Sequence, residues 1–245
     1  AHDFQMAVAG PKVILTRAQR DGGAETVPSR WLNRLVNLLS GLPDYAYVGV
    51  GREDGKTQGE YAPVFYRKDK YDLLDSNTFW LSEHPDSIGK LGWDAACTRV
   101  ATWAKLKDKT TGKEFLMLNT HFDHVGTEAR RNSALLIIDK IKEIAGTHPA
   151  MMTGDFNVSE EWEAYKTITS NEFILKDAWK IAAKQTGESY TFHDFGRVPV
   201  AEREKIDFIF VTPQIKVADA EIISSAITDS TYLSDHNAHL ADLEF

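Results

Sequence analysis

Short apolar runs of the kind that form β-strands recur along most of the chain. Some alternate between apolar and polar positions, as half-buried strands do, and others are continuously apolar, as central strands are. The runs are YAYVGV, APVFYR, YDLLDSNTFWL, RVATWAKL, EFLMLNT, AMMTG, KIDFIFV, VADAEII and AHLADLEF. This pattern predicts a fold built mainly on β-sheet.

Helical spacing of apolar residues predicts four helices between these strands. The first lies in SRWLNRLVNLLSG, with Ser29 as N-cap and Gly41 as the stop. The second is TEARRNSALLIIDKIKEIAG, which ends at Gly146. The third, SEEWEAYKTI, opens with Ser159 and two glutamates that suit the positive end of a helix dipole. DAWKIAAKQTG carries a weaker fourth pattern.

The ratio of strands to helices indicates an α/β fold with two packed sheets flanked by helices, rather than a singly wound parallel sheet. No internal repeat, low-complexity tract or linker interrupts the sequence, so residues 1–245 are interpreted as one domain. A chain of 245 residues can bury a full core without covalent cross-links. Cys97 is the single cysteine, which excludes an intramolecular disulfide.

The formal net charge of -8 bears on the class of partner. Proteins that hold extended nucleic acid through many phosphate contacts cluster Lys and Arg, so an acidic chain disfavours that class without excluding it. The sequence has no apolar run long enough to span a membrane and no visible signal peptide. The compartment stays open, because a soluble secreted or periplasmic protein whose leader has been removed would look the same.

Polar residues with catalytic chemistry stand at the ends of several predicted strands. They are His121 after EFLMLNT, Asp155 and Asn157 after AMMTG, Asp207 within KIDFIFV, and Asp235 with His236 before the last strand. Catalytic side chains are often found where a rigid strand meets a loop. The repetition of this layout indicates a shared site more strongly than any one of these residues does.

Each position also has a structural interpretation. Gly-Asp-x-Asn is good turn chemistry, Ser-Asp-His is a common loop triplet, and a histidine after a strand can be a hydrogen-bonded core residue. Asp207 is the exception, because its neighbours Ile206 and Phe208 predict burial and a buried carboxylate needs a partner. We expect that partner to be a cation, a metal or an imidazole, and His236 is a candidate.

The stretches NTHFDH, TGDFN, KIDFIFV and LSDH, in this order, resemble the endonuclease/exonuclease/phosphatase superfamily, and most closely a bacterial branch of it. The resemblance runs from about Leu42 to the C-terminus. It implies a four-layer α/β sandwich of two packed mixed β-sheets flanked by helices. It also implies hydrolysis of a phosphodiester or phosphomonoester with Mg2+ or Mn2+.

The resemblance also implies roles for individual residues. Asp207 and His236 correspond to an Asp–His pair, Asp155 to the group that orients or deprotonates the attacking water, and Asn157 and His121 to hydrogen-bond donors to the phosphate or leaving group. Asp235 is implied as a metal ligand. Arg99 and Glu60 match positions typical of the bacterial branch and are read as substrate-binding residues, although a surface ion pair also explains an arginine at Arg99.

The N-terminal part departs from the family pattern and is atypical or shortened. Family members carry an Asn after a first strand and a Gln-Glu pair, with the metal-binding Glu, after a second. Gly10 stands where the Asn is expected, and Arg17 and Ala18 stand where the Gln-Glu pair is expected. Glu25 is the alternative ligand, supplied from a shifted position.

Three functions therefore remain open at this point. The first is a metal-dependent phosphoesterase, expected to act as a monomer on a phosphate-ester substrate that the sequence does not name. The second is a nuclease acting on DNA or RNA. The third is a scaffold whose catalysis is impaired by loss of the usual metal-binding Glu.

Overall fold

The computed structural model describes residues 44–170, 175–228 and 230–245, together with the strand backbones of residues 4–9 and 12–18. The helix predicted between Ser29 and Gly41 and the candidate ligand Glu25 lie outside the described residues, as does Gly10. Arg17 and Ala18 lie in the second strand, of which the backbone alone is described.

Strands recur throughout the described part of the chain. The strands are β1 (Phe4–Ala9), β2 (Lys12–Ala18), β3 (Tyr45–Val48), β4 (Val64–Arg67), β5 (Tyr71–Trp80), β6 (Val100–Asp108), β7 (Glu114–His121), β8 (Ala150–Asp155), β9 (Lys176–Asp177), β10 (Lys184–Gly187), β11 (Asp207–Val211), β12 (Lys216–Ile223), β13 (Ala226–Thr228), β14 (Thr231–Tyr232) and β15 (Ala238–Glu244). The helices are α1 (Thr127–Ala145), α2 (Glu163–Ser170) and α3 (Ala178–Ile181).

Two mixed sheets contain thirteen of these fifteen strands, and β13 and β14 form a separate pair. One has six strands in the order β5-β6-β7-β8-β11-β9, and the other has seven in the order β10-β12-β15-β2-β1-β4-β3. β7 and β8 are parallel in the first sheet, whereas β11 runs antiparallel to β8. The predicted α/β fold class with two packed mixed sheets is confirmed.

Alternation along the strands of the six-stranded sheet separates two hydrophobic cores. Met117, Met151 and Ile209 point into the core between the two sheets. Leu118 and Phe210 point to the opposite face, where they pack against the apolar stripes of α1 and α2. These stripes contain Ala134, Ile137, Ile138 and Ile141 of α1 and Ala164, Tyr165 and Ile168 of α2.

Two helix predictions need correction. The third helix does not begin after Ser159, because the chain first makes a turn in which Trp162 N–H donates to the Ser159 carbonyl, and α2 starts at Glu163. The fourth helix ends at Ile181. Lys184–Gly187 instead form the edge strand β10, which pairs in parallel with β12. Backbone pairing therefore overrides the weak helical pattern of this exposed, polar segment.

The ends of β7 and β8 and the start of β11 lie together at one edge, or rim, of the six-stranded sheet. Side chains at this rim that share the face of the inter-sheet core residues point towards the second sheet. The connections 122–126, 156–162 and 189–206 leave from or lead to this rim. None of the helices in the described ranges is long and apolar enough to cross a membrane.

Candidate active site

Three neighbouring strands place three functional side chains in one row. His121 on β7 is in register with Asp155 on β8, and Asp155 is in register with Asp207 on β11. Each side chain lies on the same face of the sheet as an inter-sheet core residue two or four positions away on its strand, so all three face the gap between the sheets. The sheet itself therefore sets their spacing.

His236 completes this row from the loop before β15. Its Nδ1 lies 2.5 Å from Asp207 Oδ2, and both side chains are buried. A carboxylate can only accept hydrogen bonds, so Nδ1 donates and carries the hydrogen. The His236 Nε2 atom lies 3.9 Å from Asp235 Oδ2, so the ring stands between two carboxylates.

Asp155 lies between the two histidines. Its Oδ2 is 3.6 Å from His121 Nε2, and its Oδ1 accepts a hydrogen bond of 2.8 Å from the Asn157 backbone N–H. The second bond is the turn chemistry that Gly-Asp-x-Asn favours, and Asn157 takes the left-handed conformation with φ of +50°. The Asn157 side-chain amide donates to the Phe122 carbonyl at 2.9 Å. The turn therefore joins the ends of β7 and β8.

Residues around Thr191 hold the other side of the site. The Thr191 hydroxyl oxygen accepts from the backbone N–H groups of Ile206 and Asp207, each at 3.0 Å, which fixes the start of β11. The Phe192 ring lies 5.0 Å from the His236 ring, centroid to centroid. These contacts limit the positions that the Asp207–His236 pair can take.

His193 supports the loop that carries Asp235 and His236. Its Nδ1 accepts from Gly196 N–H, so the hydrogen on Nε2 is donated to the Ser225 hydroxyl, 2.9 Å away, and that hydroxyl donates to the Ser234 carbonyl. Burial, followed by the charge of Arg203, lowers the pKa of His193 to about 4. The neutral form that this hydrogen-bond chain requires is therefore the one favoured at neutral pH.

A second polar cluster adjoins the row through the segment that follows β7. The Arg99 side chain is 4% exposed; its guanidinium lies 3.7 Å from both Glu60 and Asp123 and 3.1 Å from His124 Nδ1. Arg52 forms a further ion pair with Glu60. The alternative of an arginine paired at the surface is therefore wrong, because Arg99 is buried among acidic and imidazole groups.

Asp123 anchors this second cluster as an anion. Burial acts to raise its pKa, but hydrogen bonds from backbone N–H groups of Gly126, Val125 and Ala96 and the charge of Arg99 outweigh burial and lower the pKa to about 2. Its Oδ1 accepts from Val125 and Gly126 at 2.9 and 2.7 Å. The carboxylate thus fixes the loop between His121 and α1.

The donor set of the main cluster suits a hard divalent cation. Asp155, Asp207 and His236 each place one potential ligand atom within 4.8 Å of the other two, and all three are buried. Asp235, also fully buried, adds a third carboxylate beside His236. Oxygen-rich sites with few carboxylates are those that Mg2+ and Mn2+ prefer. The residues present therefore fit the metal that the sequence resemblance implies.

The structure brings the predicted His121, Asp155, Asn157, Asp207, Asp235 and His236 to one rim, and it places Arg99 and Glu60 together in the adjoining cluster. Sequence reasoning missed the supporting residues Thr191, His193 and Arg52. A threonine, a histidine and an arginine in loops carry no periodic signal, and the sequence spacing does not identify their partners. Only the assembled fold identifies them.

Comparisons with known proteins agree with this geometry. The sequence model of the Endonuclease/Exonuclease/phosphatase family matches residues 25–236. A Bacteroides vulgatus endonuclease/exonuclease/phosphatase structure is 65% identical, covers 87% of this chain and 81% of its own, and has a TM-score of 0.83. A Bacteroides thetaiotaomicron mannosyl-6-phosphatase is 37% identical, with coverage of 88% and 82% and a TM-score of 0.80.

Drosophila melanogaster Nocturnin is 25% identical in an alignment 219 positions long, and the match covers 74% of this chain and 32% of Nocturnin. The match to a mimivirus protein covers 52% of that protein. The chain thus spans between a third and a half of the length of the curated relatives that it matches. The family match covers most of the sequence, and close structural relatives share the two-sheet fold. This chain belongs to the endonuclease/exonuclease/phosphatase family.

Proposed function

We propose that this protein is a metal-dependent phosphoesterase that hydrolyses a small phosphate ester. One observation carries the proposal: three strand ends and one loop bring His121, Asp155, Asp207 and His236 into a single buried cluster. Ester hydrolysis at phosphorus requires an activated water, charge compensation at the phosphoryl oxygens and help for the leaving oxygen. This cluster offers a group for each of these tasks.

Asp207 and His236 act on the attacking water. The Asp207 carboxylate keeps the ring hydrogen on Nδ1, which makes Nε2 the nitrogen that accepts a proton from water. Asp235, 3.9 Å from Nε2, stabilises the imidazolium that this transfer produces. Asp155 orients the same water by accepting its second hydrogen.

His121 and Asn157 act on the phosphate. Both stand at the strand ends beside Asp155, and each carries N–H groups suited to a phosphoryl or leaving oxygen. Arg99 contributes positive charge from the adjoining cluster, and Glu60 holds the Arg99 guanidinium in place. An arginine suits this role because its guanidinium keeps its charge when buried.

We infer that Asp235 and Glu25 would hold the Mg2+ or Mn2+ ion, beside the buried carboxylates Asp155 and Asp207 of the main cluster. When bound, such an ion compensates the negative charge that develops on the phosphoryl oxygens. Glu25 falls at the first residue of the family match. Glu25→Gln is expected to weaken Mn2+ binding at least tenfold in a titration of the protein with the ion alone, whereas Asp21→Asn in the same segment leaves it unchanged.

A sugar phosphate is the substrate class that we favour. The mannosyl-6-phosphatase from Bacteroides thetaiotaomicron is 37% identical and shares the fold over 88% of this chain. The net charge of -8 also favours a small ester over an extended polyanion. Mannose 6-phosphate is therefore the first compound to test.

The test measures release of phosphate from mannose 6-phosphate and of nitrophenol from bis-nitrophenyl phosphate, with Mg2+, with Mn2+ and with EDTA. We expect metal-dependent turnover, and a fall of at least 100-fold in His236→Ala and Asp155→Ala. His148→Ala, at a partly exposed surface histidine, is the matched control and should retain activity. Equal turnover in the native chain and both site variants would refute the proposal and favour a scaffold without catalysis.

A further inference from the structure

A turn beside the site has an unusual backbone. Asp194, Phe195 and Gly196 are consecutive residues with φ of +49°, +53° and +80°. Glycine adopts this left-handed region readily, but a bulky residue such as Phe is a genuine outlier there. Such conformations persist when the surrounding structure enforces them, and they concentrate at functional sites.

Contacts on both sides enforce the turn. Arg197 donates two hydrogen bonds to the Asp194 carboxylate, from Nε at 3.0 Å and from a terminal nitrogen at 2.7 Å. Gly196 N–H donates to His193 Nδ1 at 3.1 Å. A side chain at Gly196 would meet the Tyr232 hydroxyl at 2.5 Å, so Tyr232 closes the turn from the other side.

The turn is joined directly to the catalytic segment. The backbone N–H groups of His193 and Asp194 both donate to the Asp235 carbonyl, at 3.0 and 3.1 Å. Asp235 is the neighbour of His236, and the Phe192 ring packs on the His236 ring. A displacement of the turn would therefore move the residues that act on phosphorus.

The turn presents an aromatic ring and a cation to solvent. Phe195 is 37% exposed, and the Arg197 guanidinium carbon lies 5.7 Å from the centre of its ring. Two further apolar residues are exposed: Val200, 70% exposed, follows the turn along the chain, and Leu233, 75% exposed, follows Tyr232. Phe195 belongs to neither of the two hydrophobic cores, and its backbone is strained, so its position calls for a role outside folding.

We propose that Phe195 is a specificity-determining residue that stacks on a ring in the leaving group of the substrate, while Arg197 offers N–H donors to that group's hydroxyls. The inference rests on the proposed function and assigns this turn the recognition of a ring in the alcohol part of the phosphate ester. The face of an aromatic side chain packs on the apolar face of a pyranose or on a nucleobase, whereas a short acyclic alcohol offers no such face.

The test compares three monoesters of primary alcohols, which differ in the alcohol and share the chemistry at phosphorus. They are mannose 6-phosphate, adenosine 5′-monophosphate and glycerol 3-phosphate. Phe195→Ala is expected to lower kcat/KM about tenfold for one or both ring-bearing esters and to leave the glycerol ester within twofold. The ring-bearing ester with the larger fall in kcat/KM shows whether Phe195 stacks on a sugar or on a nucleobase. Phe195→Tyr should restore the native preference.

Two further variants separate recognition from folding. Phe195→Asn, a residue that accepts the left-handed conformation, should lose the ring preference with an unchanged or raised Tm. Gly196→Ala should displace the turn and lose the same preference, whereas Gly112→Ala, also at a positive φ but with nothing within 4 Å, should not. Val200→Ala controls for loss of exposed apolar surface.

Equal losses on all three esters in Phe195→Ala, or a lowered Tm in Phe195→Asn, would overturn the inference and leave the proposed function standing. A native chain that hydrolyses none of the three esters, nor bis-nitrophenyl phosphate, would overturn both.

Discussion

Among single residues, substitution of Asp207 is expected to have the largest effect on catalysis, because Asp207 accepts the hydrogen bond that holds the His236 ring. It sits in a buried strand and bonds His236 Nδ1 at 2.5 Å. Asp207→Asn keeps the shape of the side chain, but its amide can donate to Nδ1 and select the other tautomer. The Nε2 atom would then carry the hydrogen and could no longer accept a proton.

We therefore expect Asp207→Asn to lower kcat by a factor of about 100 to 10,000 while the fold stays intact. Steady-state kinetics at neutral pH measure the first effect, and far-UV circular dichroism with thermal unfolding measures the second. Asp72→Asn, at an exposed carboxylate paired with Lys109, is the matched control. Native-like activity in Asp207→Asn would mean that this pair is not part of the catalytic machinery.

A second effect at this scale concerns His239, which lies beneath the site with no exposed surface. Burial, and then the charge of Lys205, lowers its pKa to about 3, whereas a histidine in the unfolded chain titrates near 6.5. As pH falls from 6.5 towards 3, the unfolded state binds a proton that the folded state does not bind. The free energy of unfolding therefore decreases with falling pH across this window.

His239→Leu should flatten this dependence, removing about 2 kcal/mol of the decrease between pH 6.5 and 4.5. Urea denaturation at several pH values in EDTA measures the slope, and His148→Leu at the surface serves as control. Asp123, with its pKa lowered to about 2, contributes stability that is lost below pH 4, outside the measured window. His193, whose pKa is lowered to about 4, contributes to the slope in both proteins, so its effect cancels in the comparison. An unchanged slope in His239→Leu would show that His239 does not contribute to the decrease.

The pairing of β7 with β8 fixes the relative positions of His121 and Asp155. Gly154 stands between Thr153 and Asp155 on β8, where a Cβ atom would meet the Thr120 carbonyl oxygen on β7 at 2.4 Å. The close approach of the two backbones is what keeps His121 and Asp155 in register. Because the obstructing atom belongs to a paired backbone, a larger side chain here must push the strands apart.

Gly154→Ala is therefore expected to lower the free energy of unfolding by about 1–3 kcal/mol and to reduce activity in the fraction that remains folded. Chemical denaturation and kinetics on the same preparation separate the two losses. Gly112→Ala is the control for the substitution itself, because a Cβ atom at Gly112 has no neighbour within 4 Å. Unaltered stability would show that β7 and β8 can separate without cost.

The sequence predicted the strands of this region better than it predicted how they pair. Alternation and apolar runs identified β7, β8 and β11, and the cost of burying Asp207 pointed to an imidazole partner, which the structure shows to be His236. The register of the three strands could not be derived, since it depends on backbone pairing between distant segments. The left-handed conformation of Phe195 could not be derived from its residue type, since Asn and Gly are the residues that favour it, and Gly196 was the cue that a turn lies here.

For the whole molecule, net charge bears on the choice between a phosphatase that acts on a small ester and a nuclease. A protein that binds extended nucleic acid displaces counterions from many phosphates, so its affinity falls steeply with salt concentration. The chain carries 28 Lys and Arg against 36 Asp and Glu, and two of its arginines, Arg52 and Arg99, are buried in ion pairs with Glu60. Because both guanidinium groups are buried beside Glu60, they add little positive charge to a surface that could bind a nucleic-acid backbone.

We therefore expect a weak salt dependence. Between 50 and 200 mM NaCl, kcat/KM for a sugar phosphate should fall less than about fivefold, because one phosphate group is engaged. A nuclease that contacts six or more phosphates would lose about a thousandfold or more in affinity over the same range. The measurement runs the sugar phosphate and a single-stranded oligonucleotide in parallel at fixed Mg2+. Faster turnover of the oligonucleotide, with a steep salt slope, would replace the phosphatase proposal with a nuclease, because the two classes differ in how many charges the surface must meet.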